Sequence, residues 1–127
     1  MTNQDVLNRV WEWFVTMRHQ RSAIKTGDPL LGYKCCYRGP RNTRCGVGCL
    51  IPDELYKDNF ENTNVCYIIK HNPDIRALFA GVDSNLLHDV QVAHDEYAPE
   101  AKKGFANHMK RELAAIATKY NLQLPEP

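Results

Sequence analysis

The chain has 127 residues, 43% of them hydrophobic and 24% charged, with a formal net charge of +1. These values are typical of one globular domain, and so small a net charge excludes a strong overall attraction to nucleic acid or to a membrane. No run of about 18 apolar residues is present, so no transmembrane helix is predicted. The polar first residues do not resemble a signal peptide. We therefore expect a single domain over residues 1–127 in the cytoplasm.

The first predicted helix covers residues 2–25, where apolar side chains recur on one helical face. Thr2 or Asn3 is expected to cap it, and Asp5 lies in the first turn, where a negative charge is favourable. Basic residues gather at the other end of the segment, at Arg18, His19, Arg21 and Lys25. They either balance the helix dipole or provide a second contact for an anion.

The sequence pattern in the middle of the chain predicts a small β-hairpin at about residues 33–51. "YKCCY" has strand-like residues, Gly39 and Pro40 form a turn, and "RCGVGCLI" is the expected returning strand. "PDELY" then predicts a short helix, because Pro52 is favourable in a first helical turn.

The second half of the chain predicts helices with clear boundaries. "NVCYIIKH" ends before Asn72 and Pro73, and the next helix begins at this pair, with Asn72 as its cap. Asp83 or Ser84 caps a third helix, and Pro99 opens a last, amphipathic one. The expected fold class is α+β and mostly α, with four to five helices and one hairpin.

Four of the five cysteines fall in the predicted hairpin. The odd number and the reducing compartment argue against a disulfide framework. Three interpretations stay open. The thiols are small buried side chains, or Cys45 beside Arg44 is a reactive thiolate, or the hairpin holds a structural zinc. The spacing of two cysteines suits one zinc chelate pair, and the predicted ligands are Cys36, Cys45, Cys49 and His94.

The same segment concentrates positive charge, since no acidic residue lies between Asp28 and Asp53. Arginine side chains match phosphate oxygens, and glycines let backbone N–H groups approach them, although no Walker motif is present. The segment is either a solvated basic turn or a loop that binds an anionic, nucleotide-like ligand, with a tyrosine as a stacking surface. The candidate ligand-binding residues are Tyr37, Arg38, Arg41, Arg44, Gly46 and Gly48.

Two His-Asp pairs occur in "LLHDVQVAHDEY". The helical spacing of Leu87, Val90 and His94 places His94 on the inward face. His94 is then either a hydrogen-bonded core residue or, with Asp95, a metal ligand or acid–base unit. Because no complete set of acid, base and nucleophile can be assembled, we expect a binding protein rather than an enzyme.

Three strings of the sequence resemble a group of small proteins common in tailed phages and prophages. They are C-x-Y-R-G from Cys35 to Gly39, C-G-V-G-C-L-I-P-D-E-x-Y from Cys45 to Tyr56, and Q-x-x-H-D from Gln91 to Asp95. The resemblance implies a host-takeover or counter-defence factor in the host cytoplasm, a group that includes oligomeric proteins that sequester nucleotide signals.

The leading hypothesis is therefore a phage-type protein that binds a small anionic ligand, a nucleotide signal, at the basic Cys/Gly loop. One alternative is a zinc-stapled module that binds a host protein. A second is a small metal- or thiol-dependent phosphohydrolase that uses His94 and Asp95, or Cys45. Trp11 and Trp13 fall on different sides of the first predicted helix, which suggests a homo-oligomer, because aromatic residues are enriched at interfaces.

Overall fold

The computed structural model describes residues 1–28, 33–97 and 104–125. Two strands form an antiparallel sheet, and four short 3-10 turns lie between the second strand and the second α-helix. The predicted class, mostly α with one small β-hairpin, is confirmed. The elements within the described ranges are α1 (Asn3–Trp11), β1 (Ala23–Lys25), β2 (Tyr33–Cys35), α2 (Val65–His71), α3 (Pro73–Leu78), α4 (Ser84–Asp95) and α5 (Phe105–Lys119).

The first helix begins as predicted but ends earlier. The Thr2 hydroxyl accepts a hydrogen bond from the Asp5 N–H, and the Asp5 carboxylate accepts one from the Thr2 N–H, which forms a capping box. A π-helical turn over Glu12–Thr16 follows, and Arg18 then leaves the helical region with φ of 58°. The predicted continuation to residue 25 is wrong because residues 23–25 form β1 instead.

The hairpin contains the predicted strand β2 but a different partner. β1 pairs with β2 in a register that places Ala23 opposite Cys35. Residues 44–51, the expected returning strand, form an irregular segment with a 3-10 turn over Gly48–Leu50. Its residues are buried nearly without interruption from 45 onwards, whereas a strand with one face in solvent would alternate.

The core lies where α1, the π-helical turn, α4 and α5 pack together. Their inward side chains are fully buried: Val6, Leu7, Val10, Phe14, Leu86, Leu87, Val90, Met109 and Leu113. The prediction that His94 faces inward is confirmed, because its side chain is 0% exposed. Trp11 lies in this core and Trp13 packs partly buried against it, so both have contacts within the chain. The homo-oligomer stays a prediction.

The other predicted helices of the second half are confirmed within the described residues. Asn72 directly precedes α3, but its side chain makes no capping hydrogen bond and donates instead to the carbonyl oxygen of Ile68. α3 starts at Pro73, and the Asp83 carboxylate caps α4 by accepting from the Asn85 N–H. The segment "PDELY" forms a 3-10 turn at Asp53–Leu55. The predicted start of the last helix at Pro99 lies outside the described residues. Within the described ranges, no helix combines the length and apolar character needed to cross a membrane.

Candidate functional site

Arg38, a predicted ligand contact, donates its hydrogen bonds to the protein itself. Its Nη1 donates to the carbonyl oxygens of Tyr37 at 3.2 Å and Gly48 at 2.6 Å. Its Nη2 donates to the carbonyl oxygen of Ile51 at 2.6 Å and to Asp53 Oδ1 at 3.1 Å. This guanidinium therefore joins the end of β2 to the segment around residues 48–53. Its charge stabilises the fold.

The backbone beside Arg38 is held by Glu61, which the sequence did not single out. Glu61 Oε1 accepts from the Tyr37 N–H at 3.0 Å, and Oε2 accepts from the Arg38 N–H at 3.1 Å and from the Tyr56 hydroxyl at 2.6 Å. Tyr37 is 8% exposed and donates its hydroxyl to the carbonyl oxygen of Thr63 at 2.6 Å. Its ring is thus packed inside the fold rather than presented to a ligand.

Gly46 and Gly48 allow close packing of buried backbone. A Cβ atom at Gly46 would lie 2.6 Å from the carbonyl oxygen of Val90, and one at Gly48 would collide with the carbonyl oxygen of Tyr37. Both glycines are buried, so their N–H groups do not form the open phosphate loop that the sequence suggested.

Arg44 belongs to a stack of three planar groups. Its Nη2 lies 3.1 Å from Asp53 Oδ1, and its guanidinium lies over the Trp13 ring at 4.9 Å from the centroid. The imidazole of His19 stacks on the same indole, with ring centroids 3.6 Å apart. The imidazole and the guanidinium therefore both lie against the indole ring. We call Arg44, Trp13 and His19 the stacked column.

Arg41, another predicted ligand residue, lies at an open cavity. The cavity has a volume of about 470 Å³, and Arg18 and Arg21 line it together with Arg41. We call it the basic pocket, because no acidic side chain is among the described residues that line it. The remaining lining residues are His19, Gln20, Ala23, Pro40 and Thr43.

Two arginines of the basic pocket have an unfavourable backbone conformation. Arg18 and Arg41 both have φ of 58°, in the left-handed region. This conformation costs an ordinary L-residue roughly 1–2 kcal/mol, and asparagine is the residue that best tolerates it after glycine. The other described non-glycine residues with positive φ are indeed asparagines: Asn42, Asn62 and Asn121. Strained residues of this kind concentrate at functional sites.

Arg21 lines the basic pocket, and contacts within the protein hold its side chain in place. Its Nη2 donates to the carbonyl oxygen of Asp95 at 2.9 Å and lies 3.5 Å from Cys35 Sγ. These contacts tie the segment after α1 to the end of α4. The basic end of the first predicted helix, which the sequence offered as a second anion contact, therefore lies on the same cavity as Arg41.

The structure does not bring the predicted zinc ligands together. Within the described ranges, the residues whose potential ligand atoms all lie within 4.8 Å of one another are Cys35, His94 and Asp95. Cys45 Sγ instead accepts from the Gly48 N–H at 3.2 Å, and Cys49 donates to the Gly46 carbonyl oxygen at 3.3 Å. These thiols therefore make local contacts in turns. The set that does not converge is Cys36, Cys45, Cys49 and His94.

The nitrogens of His94 are both engaged in hydrogen bonds. Nε2 lies 3.0 Å from the Ser22 backbone nitrogen, whose N–H can only donate, so Nε2 is the unprotonated acceptor. The proton is then on Nδ1, which donates to Asp95 Oδ1 at 2.8 Å. Burial lowers the pKa of His94, which keeps the ring neutral in this arrangement. Neither nitrogen has a lone pair free for a metal ion.

The thiols of Cys35 and Cys45 are poorly suited to nucleophilic catalysis. Burial, followed by the neighbouring Asp95 carboxylate, raises the pKa of Cys35 to about 12. Burial also raises the pKa of Cys45 to about 12. The nucleophile in cysteine chemistry is the thiolate, so both groups are protonated and unreactive at neutral pH. The thiol-enzyme alternative gains no support from these residues.

The stability of the protein is expected to fall as the pH drops below about 6.5, the pKa of a histidine in an unfolded chain. Because the pKa of His94 is lowered in the fold, the unfolded chain binds a proton that the folded chain does not. The free energy of unfolding should therefore decrease from about pH 6.5 down to the folded-state pKa, by up to about 1.4 kcal/mol per pH unit. Urea denaturation of the wild type and His94→Gln between pH 7 and pH 5 measures this, and equal pH dependence in the two proteins would contradict it.

No family model, curated protein or solved structure matches this chain. Of the predicted ligand residues, Arg41 lines the basic pocket, whereas Arg38 and Arg44 make ionic and backbone contacts within the fold. The basic pocket joins residues that the sequence treated as two separate groups.

Proposed function

We propose that this protein is a non-enzymatic binding protein for a small phosphate-bearing, nucleotide-like anion, and that the basic pocket is its binding site. The observation that carries the proposal is the convergence of Arg18, Arg21 and Arg41 on one cavity. Arginine offers paired donors that match phosphate oxygens. A volume of about 470 Å³ lies within the usual range for small-molecule sites.

An anion would also explain why so many positive charges share one cavity. Guanidinium groups around one pocket repel each other, and a bound phosphate turns this repulsion into attraction. The left-handed backbone of Arg18 and Arg41 supports the same reading, because a conformation with a stability cost is retained at positions where it serves a ligand.

The biological setting that we propose follows from the resemblance to small phage proteins. A protein of this kind would act in the host cytoplasm as a host-takeover or counter-defence factor that sequesters a nucleotide signal. The zinc-stapled module and the phosphohydrolase are less well supported. Cys35, His94 and Asp95 lie close together, but both nitrogens of His94 are engaged in hydrogen bonds and the thiol of Cys35 is protonated at neutral pH.

Replacement of both Arg18 and Arg41 by alanine is expected to weaken pyrophosphate binding at least 100-fold without unfolding the protein. Each lost charge-assisted hydrogen bond is worth about 1.5–3 kcal/mol, and both side chains are exposed. Isothermal titration calorimetry at low salt measures the affinity. Arg41→Gly should in addition be more stable than Arg41→Ala by about 1 kcal/mol, because glycine relieves the positive φ.

The matched control is the double variant Lys57→Ala and Lys110→Ala. It removes the same charge from exposed positions that do not line the basic pocket. We expect its affinity for pyrophosphate to remain within a few-fold of the wild type. The proposal fails if the arginine variant binds as the wild type does, or if wild-type protein shows no saturable binding of pyrophosphate or ATP.

A further inference from the structure

We propose that the basic pocket recognises the aromatic base of a nucleotide as well as its phosphate, and that the imidazole of His19 is the surface on which the base stacks. This inference rests on the proposed function, because it concerns the same cavity. It adds a residue outside the arginine cluster and narrows the ligand from phosphate-bearing anions in general to those with a planar heterocycle.

The position of His19 in the stacked column carries the argument. One face of its imidazole is covered by Trp13, with centroids 3.6 Å apart and an interplanar angle of 17°. His19 is also one of the residues that line the basic pocket. His19 is half-buried, so part of its surface is open to solvent. We infer that this open part is the imidazole face opposite Trp13. A planar ring in the pocket can therefore extend the column by one layer.

The rest of the column is held in place before any ligand arrives. Arg44 lies over Trp13 and is anchored by Asp53 at 3.1 Å. The His19 backbone N–H donates to the carbonyl oxygen of Trp13 at 3.1 Å, which holds the backbone that carries both rings. A base that stacks on His19 would meet a surface already ordered, so little conformational freedom is lost on binding.

A small nucleotide suits these features better than a phosphorylated peptide does. Phosphoserine has no ring and would gain nothing from His19, although the arginines would hold its phosphate equally well. The stacking contribution of an aromatic side chain to a base corresponds to about 5- to 150-fold in affinity. This range defines how large the preference for a nucleotide should be.

The test compares AMP, ribose 5-phosphate and a phosphoserine peptide by isothermal titration calorimetry on the wild type, His19→Ala and His19→Phe. We expect the wild type to bind AMP at least 5-fold more tightly than ribose 5-phosphate. His19→Ala should remove this preference, so that its affinities for AMP and ribose 5-phosphate become equal. His19→Phe should retain the preference, because phenylalanine keeps a planar face on Trp13.

Any other result would overturn either the stacking inference or the proposed function. Equal affinities of the wild type for AMP and ribose 5-phosphate would overturn the stacking inference and leave the anion-binding function standing. Tighter binding of the phosphoserine peptide than of AMP would overturn it in favour of a peptide ligand. If neither AMP nor ribose 5-phosphate nor pyrophosphate binds, the proposed function itself fails. A preference for AMP that survives in His19→Ala would place the base elsewhere.

Discussion

Replacement of Arg38 by alanine is expected to lower the free energy of unfolding by about 3–5 kcal/mol and to leave pyrophosphate affinity unchanged in the folded protein. The side chain is 18% exposed and donates at 2.6 Å to the carbonyl oxygens of Gly48 and Ile51. Each charge-assisted hydrogen bond of this kind contributes about 1.5–3 kcal/mol, and its loss leaves a carbonyl group without its partner. Urea denaturation measures the stability and calorimetry the affinity.

Two further variants make the Arg38 result interpretable. Arg111→Ala removes an exposed arginine from α5 and should change the stability by no more than about 0.5 kcal/mol. Arg38→Lys keeps the charge but not the paired donors, so it should fall between the wild type and Arg38→Ala. If Arg38→Ala is as stable as the wild type and loses pyrophosphate binding, the ligand site is at the Cys/Gly loop rather than at the basic pocket.

Replacement of Gly48 by alanine is expected to destabilise the fold by at least about 3 kcal/mol. The added Cβ would collide with the carbonyl oxygen of Tyr37, which is backbone and cannot move away as a side chain could. The Arg38 N–H donates to Glu61, and the Arg38 guanidinium donates to the Tyr37 carbonyl oxygen, so the Tyr37–Arg38 peptide is held at both ends. Thermal unfolding followed by circular dichroism measures the change.

Gly104→Ala is the control for Gly48→Ala. A Cβ atom at Gly104 would meet nothing within 4 Å, so the substitution adds only the strain of a left-handed backbone with φ of 81°. We expect a cost of about 1–2 kcal/mol, below that of Gly48→Ala. Equal melting temperatures for Gly48→Ala and the wild type would show that the 45–51 segment does not pack as described.

The helices of the second half could be predicted because their signals are local. Pro73 fixes the start of α3, and Asp83 caps α4 through the N–H group of Asn85. The inward position of His94 follows from the spacing of apolar residues in α4. Such features depend on neighbours within a few residues, so the sequence alone contains the information.

The partner of β2 could not be predicted in the same way. Residues 44–51 and residues 23–25 are both short and apolar enough to form a strand, and local pattern does not choose between them. The choice depends on packing, because Val47 and Leu50 fill the core under α1 and α4. A segment buried on all sides lacks the alternation that a strand of a two-stranded hairpin would have.

The sequence predicted only separate parts of the candidate site. The sequence identified the basic end of the first helix and the basic loop, but only the fold places Arg18 and Arg41 on one cavity. Their left-handed backbone has no sequence signal, since arginine is not a residue that favours positive φ. The role of Glu61 was equally hidden, because its partners include backbone N–H groups that are distant along the chain.

The most direct test of the basic pocket is a titration of ¹⁵N-labelled wild-type protein with AMP, followed through the backbone amide signals. We predict that the largest shifts occur at residues 18–23 and 41–43, the two segments that line the basic pocket. Saturable shifts confined to residues 45–49, with none at 18–21, would contradict the account. That result would return the anion site to the Cys/Gly loop.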